Sequence, residues 1–175
     1  MKTVIGKPAI KHVFSKIYFD PLELMEAVEI TSKESPADYE LSILGKTKNL
    51  LSTPNKDSIS NGIAIKTHAR WIAKMGKEFK FFFNPEIGDI FITGPLTSIF
   101  LNDLEGKYLG ALSTGPFGIL RGLGITRNKA TDHLTALKNG GYLIIVRGYN
   151  HDLDILEKLL GEKQDRPIGL MPTVN

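Results

Sequence analysis

The sequence predicts an α+β domain, and three features lead there. Short runs of alternating or continuous apolar residues recur along the chain, the pattern of half-buried and buried strands. Between them lie segments with apolar residues at helical spacing, opened by Asp, Thr or Asn and closed by Gly or Ser-Pro. The 175 residues, 42% of them hydrophobic, suffice for one core with insertions but hardly for two full domains. A single domain over residues 1–175 is expected, with its core from about residue 12 to residue 161.

The elements follow in chain order. Val13 to Phe19 alternates as a strand, with Val13, Ile17 and Phe19 on one face. Asp20-Pro21 then starts a helix. Aspartate accepts from the free N–H groups of the first turn, and proline lacks an N–H where none is needed. That helix runs from Pro21 to about Lys33, turning Leu24, Met25 and Val28 inward and Glu23, Glu26 and Glu29 toward water. Ser35-Pro36 ends it, and Tyr39 to Leu44 is a second alternating strand.

Gly45 to Asn61 is polar and rich in turn formers, which reads as a long exposed loop. From Thr67 to Phe83, Trp71, Met75, Phe79 and Phe82 recur at steps of four, four and three, with Arg70, Lys74, Lys77 and Lys80 mostly opposite. This is a basic amphipathic helix passing into an extended Phe81-Phe82-Phe83 segment before Asn84-Pro85. A third strand, Gly88 to Gly94, is bracketed by glycines. After the glycine-rich stretch, Thr126 or Asn128 caps a helix to Lys138 or Asn139, with Ala130, Leu134 and Leu137 buried. Asn139-Gly140-Gly141 stops it in the left-handed region. Tyr142 to Gly148 is nearly continuous in apolar residues and is expected to be the most buried strand. Asn150 caps a last helix, His151 to Leu160. With insertions at about 45–87 and 95–125 set aside, a ferredoxin-like βαββαβ core remains, plus an extra C-terminal helix.

Composition narrows the chemistry. There is no cysteine, which removes disulfides, thiol nucleophiles, Fe–S clusters and Cys-ligated zinc together. The formal net charge of +3 is spread along the chain with no Lys/Arg block, so nucleic acid is a disfavoured partner. The longest uncharged runs, Ile90 to Asn102 and Tyr108 to Leu120, are thirteen residues each, whereas a spanning helix needs about 20. The basic N-terminus lacks the apolar core and cleavage site of a secretory leader. A soluble, cytoplasmic protein is expected.

Motif by motif, no catalytic or cofactor signature emerges. Gly122-Leu123-Gly124 begins like a dinucleotide fingerprint, but Arg127 stands where the third glycine belongs and no strand directly precedes it. There is no phosphate-binding GxxxxGK[ST]. A generic anion site remains at the helix start, from Thr126, Arg127 and Lys129. Ser113 lacks the glycine two residues before it that a nucleophile elbow requires. Asp132 and His133 are neighbours on a helix and diverge by about 100°, so they form no triad pair, and His133 reads as a surface or boundary residue. His12, His68 and His151 show no metal-ligand spacing. His151-Asp152-Leu153-Asp154 looks like a ligand cluster, yet acids in a first helical turn complement the dipole. Asp103 and Glu105 read as a solvated loop.

Two features remain as candidate contact surfaces. Gly110, Thr114, Gly118 and Gly122 recur every four residues, and on a helix they would make a face of nearly bare backbone for close approach. Pro116 divides this stretch, so two short helices are expected, Leu104 to Leu112 and Pro116 to Leu123. The second candidate is the Trp71, Met75 and Phe79 stripe. It could pack on the sheet or a second copy, lie on a membrane surface, or leave Phe81 to Phe83 to stack bases.

The run GKYLGALSTGPFGILRGLGI followed by TRNKATDHLTALKNGGYLIIVRG resembles the heat-induced general stress protein (YflT-type) families and their relatives of unknown function. The matching positions are Gly124-Ile125, Leu137, Gly140-Gly141 and Leu143 to Val146, and VFSKIYFDPLELMEAVEITS is similar to the families' opening strand and helix. The resemblance covers about two-thirds of the chain, omitting Gly45 to Phe83 and both tails. It implies a small-residue hairpin and no established catalytic residues. Pro116 and Arg121 depart from the more apolar glycine zippers of membrane-associated relatives. The leading expectation is a non-enzymatic, cofactor-free, stress-protein-like domain acting as a homo-oligomer or through a protein partner. The alternatives are a membrane-surface protein using the basic aromatic helix, and a ligand or enzymatic site beneath the insertions near His68 or Asp103.

Overall fold

The computed structural model describes residues 10–33, 39–51 and 79–161. The expected Trp71–Met75 stripe, His68 and both tails lie outside the described residues. The first half contributes β1 (His12–Tyr18), α1 (Pro21–Lys33), β2 (Glu40–Lys46), α2 (Thr47–Leu51), β3 (Lys80–Asn84) and β4 (Gly88–Thr93). It continues with α3 (Thr97–Phe100), β5 (Asp103–Leu104), β6 (Lys107–Tyr108) and a 3₁₀ turn at Leu109–Ala111. The last elements are α4 (Gly115–Gly122), α5 (Arg127–Lys138), β7 (Tyr142–Gly148) and α6 (Asn150–Gly161).

Five strands form one antiparallel sheet in the order β1-β7-β2-β4-β3. The register pairs Ser15 with Ile145 and Ile43 with Ile144. Because β1 and β2 both run antiparallel to β7, they are parallel to each other with β7 between them. The same logic makes β4 and β7 parallel with β2 between. Both β-α-β connections are therefore split, and the fold is α+β as expected.

The specific ferredoxin-like arrangement is not confirmed. There the first and third core strands, here β1 and β4, would be central neighbours, and both helices would cover one face. Here β7 and β2 hold the centre and helices cover both faces. On one face Leu24, Val28, Leu153 and Leu156 from α1 and α6 close over Phe14, Ile43, Ile144 and Val146. On the other, Phe100, Leu120, Ala130 and Leu137 from α3, α4 and α5 close over Leu44, Ile90, Ile92 and Ile145. The reason is local: Leu143 to Val146 are all fully buried. Successive strand residues point to opposite faces, so both faces of this strand must be covered.

The ends of several elements behave as their residues dictate. Asp20 Oδ1 accepts from Leu22 N at 2.8 Å, and Thr126 Oγ1 accepts from Lys129 N at 3.4 Å. Gly140 takes φ +93° after α5, and its N–H donates to the Leu137 carbonyl, closing the helix in a conformation that favours glycine. Lys80–Asn84 is extended, as the Phe81–Phe83 run suggests, with Phe82 buried and Phe81 and Phe83 exposed.

The expected helix Leu104 to Leu112 is replaced by the β5–β6 hairpin and the 3₁₀ turn. Glu105 and Gly106 take φ +53° and +85°, the two positive values that a tight hairpin turn needs. Gly106 N donates to Asp103 Oδ1 at 2.7 Å. What anchors this region is Asn84, fully buried at the end of β3. Its Nδ2 donates to the carbonyls of Gly110 and Leu112, both at 2.9 Å, and its Oδ1 accepts from Glu86 N and Ile87 N. Asn84→Ala takes the Asn84 partner from the Gly110 carbonyl and from Glu86 N, at about 1–3 kcal/mol for a buried group left unsatisfied, while the Leu112 carbonyl still accepts from Gly115 N. A melting-temperature loss of roughly 5–10 °C is expected, and a melt superimposable on wild type would refute this anchoring role.

Candidate functional site

The small-residue line splits into two physical classes. Gly110 sits in the 3₁₀ turn, where an added Cβ would stand 3.0 Å from Phe100 Cδ1 and 3.1 Å from Phe82 Cε2. Gly115 is tighter, because a Cβ there would lie 1.8 Å from the Leu109 carbonyl oxygen. These are close-packing glycines. Gly118 and Gly122, one helical turn apart on α4, are the opposite: a Cβ at either meets nothing within 4 Å. The four residues expected to share one face therefore do not, and Gly110 leaves the set.

What remains is a groove of about 560 Å³ beside α4. Thr114, Gly118 and Gly122 line it together with Ile99, Leu112 and Leu123. Its single charged lining residue among those described is Arg147, whose Nη1 stands 3.2 Å from Glu40 Oε2. Glu40 also holds Lys11 at 2.8 Å, and the lysine hydrogen bond lowers its carboxyl pKa. Among the described residues the groove's lining is mostly apolar, and the Arg147 cation is already paired with Glu40.

The three residues expected to hold an anion stand at the start of α5. Thr126 is occupied as the cap, Arg127 is exposed, and Lys129 lines a separate cleft with His133. That histidine is a correction to the sequence reading, since it is buried rather than a surface or boundary residue. Its Nε2 lies 2.9 Å from Ser15 Oγ, a contact spanning 118 positions in sequence. Burial first, then the Lys129 charge, pushes the His133 pKa down to about 4. Sequence reasoning missed Ser15, Asn84 and His133. Only His133 carried a signal, at i+3 from Ala130 and i−4 from Leu137 on the buried stripe.

Phe79, the one described member of the aromatic stripe, is partly buried against the first core. Its ring centroid is 5.6 Å from that of Phe91. Asp103 is exposed, and the small space between α4 and the sheet is lined wholly by apolar side chains such as Leu44, Phe82, Phe100 and Leu120. No group of three His, Asp or Glu suited to a metal occurs among the described residues. No helix among them is long and apolar enough to cross a membrane. Fold and grooves together define an α+β domain with helices on both sheet faces and one open, small-residue helix face. Comparison with protein families, curated proteins and solved structures finds no match to this chain.

Proposed function

We propose that the chain is a non-enzymatic, cytoplasmic domain that works through self-association, with the α4 groove as its contact face and a role linked to stress. The stress link rests on the resemblance alone. The observation that carries self-association is the open space over Gly118 and Gly122. Glycine inside a helix costs about 1 kcal/mol relative to alanine, and at these two positions no internal contact offsets that cost. Bare backbone turned outward among Ile99, Leu112 and Leu123 lets a second helix approach closely.

A second copy fits because a two-fold contact sets the same patch against itself. Arg147, the groove's only charge among those described, is paired with Glu40, so like charges do not oppose each other. The experiment is Gly118→Leu, followed by sedimentation and circular dichroism. A leucine on each side of a two-fold contact should weaken association by at least roughly 100-fold while the spectrum stays native. A wild-type protein that is monomeric across the micromolar range, or a leucine variant associating as wild type does, would overturn the proposal.

A further inference from the structure

Along the β1 side of the sheet runs a second cleft, of about 500 Å³, within the range of small-molecule sites. Strand β1 forms its floor, α5 one wall through Lys129, Asp132 and His133, and α6 the other through Glu157 and Gly161. Ile17 and the exposed Phe19 add apolar surface. Unlike the α4 groove, this cleft has a built polar floor.

That floor is the Ser15–His133 pair. Both residues are more than nine-tenths buried, at 3% and 6% exposure, and their 2.9 Å contact uses Nε2 of the imidazole. The contact is open to either direction, set by the imidazole tautomer, and the site proposed below takes the one in which the serine hydroxyl donates to Nε2. A neutral imidazole must then carry its proton on Nδ1. That nitrogen has no partner among the described residues, yet it is not among their sealed, unsatisfied polar atoms. In that tautomer His133, which lines the cleft, carries an N–H donor at its floor. Lys129 lies four residues earlier on α5, on the same helical face, and adds an ammonium group to the same cleft.

We propose that this cleft binds a small amphipathic monocarboxylate, its head between Lys129 and His133 Nδ1–H and its apolar body against Ile17 and Phe19. Charge-assisted donors suit a carboxylate. Asp132 and Glu157 on the walls would repel a dianion such as a phosphate monoester, which favours a single negative charge. Lys16 also lines the cleft, but its Nζ donates to the Leu160 carbonyl at the end of α6. The suppressed His133 pKa of about 4 keeps the donor a neutral imidazole at pH 7. The inference is independent of self-association, because it concerns a different cleft.

Calorimetric titration at pH 7 with hexanoate, and with hexanol as its uncharged counterpart, tests the site. Ring-nitrogen NMR of His133 in the same samples localises it. Hexanoate should saturate at one per chain, shift the Nδ1–H resonance, and bind roughly tenfold more tightly than hexanol. Lys129→Met, at an exposed position, should weaken hexanoate roughly five- to tenfold with the melting temperature unchanged. The assignment is overturned if hexanoate leaves the His133 resonance in place, if hexanol binds equally well, or if Lys129→Met binds hexanoate as wild type does.

Discussion

Gly115→Ala should cost the fold about 3 kcal/mol or more, a drop of roughly 6–12 °C in melting temperature. The new Cβ would stand 1.8 Å from the Leu109 carbonyl oxygen and 2.9 Å from its carbon. Both are backbone atoms, so no rotamer change can clear the overlap. Relief would require the 3₁₀ turn to move away from α4. That turn is held by Asn84, which bonds Gly110 and Leu112 on either side of Ala111. Gly118→Ala and Gly122→Ala are the controls, since their Cβ atoms meet open space. Each should hold or gain up to about 1 kcal/mol from better helix propensity. Urea unfolding of all three in dilute solution decides the matter. A Gly115→Ala variant as stable as its two controls would mean the 3₁₀ turn is free to shift.

The contrast among these glycines shows where sequence reading stops. Their spacing marks a small-residue face, but spacing cannot say whether that face turns inward or outward. This depends on the path from Asp103 to Ala111, which carries no helical or strand period. The regular steps of four belong to one helix only from Thr114 onward, where Thr114 stands at the N-cap of α4. Local signals did better where the residue chemistry is specific. Asp20-Pro21 and Asn139-Gly140-Gly141 set helix ends that the structure places at Pro21 and Lys138. The continuous apolar run in β7 also announced its burial. Strand order did not follow, because the pairing of β7 with both β1 and β2 joins segments far apart in sequence. The run itself held the missing clue: a strand apolar on both faces needs cover on both, which a one-sided helical layer does not supply.

His133 was misplaced by one step of the helix. Assigning Leu134 rather than His133 to the buried stripe beside Ala130 and Leu137 selects a side chain about 100° away around the helix. The partner that makes burial tolerable, Ser15, lies on β1 at the other end of the chain. A buried imidazole needs such a partner, since an unpaired polar atom in the interior is costly. Local pattern cannot reveal a hydrogen bond that spans 118 positions.

The same burial gives the protein an acid-sensitive stability with a defined window. His133 titrates near the ordinary value of 6.5 when the chain is unfolded and at about 4 when folded. Above pH 6.5 it is neutral in both states and the native state keeps its full stability. Between pH 6.5 and 4 the unfolded chain takes up a proton that the folded chain refuses, so stability falls as the pH falls. Over that interval the loss is about 3 kcal/mol from this one group. Glu40 acts over a lower window: Lys11 and Arg147 hold its carboxyl below the usual value, so its contribution is lost only as that carboxyl protonates. The two are separated by His133→Gln, whose amide can still meet Ser15 but does not titrate. Urea unfolding at pH 7 and pH 4.5 should show most of the loss in wild type and a much flatter response in the glutamine variant. Equal losses in both proteins would mean that His133 charges freely in the native state, and that its contact with Ser15 does not exclude the proton.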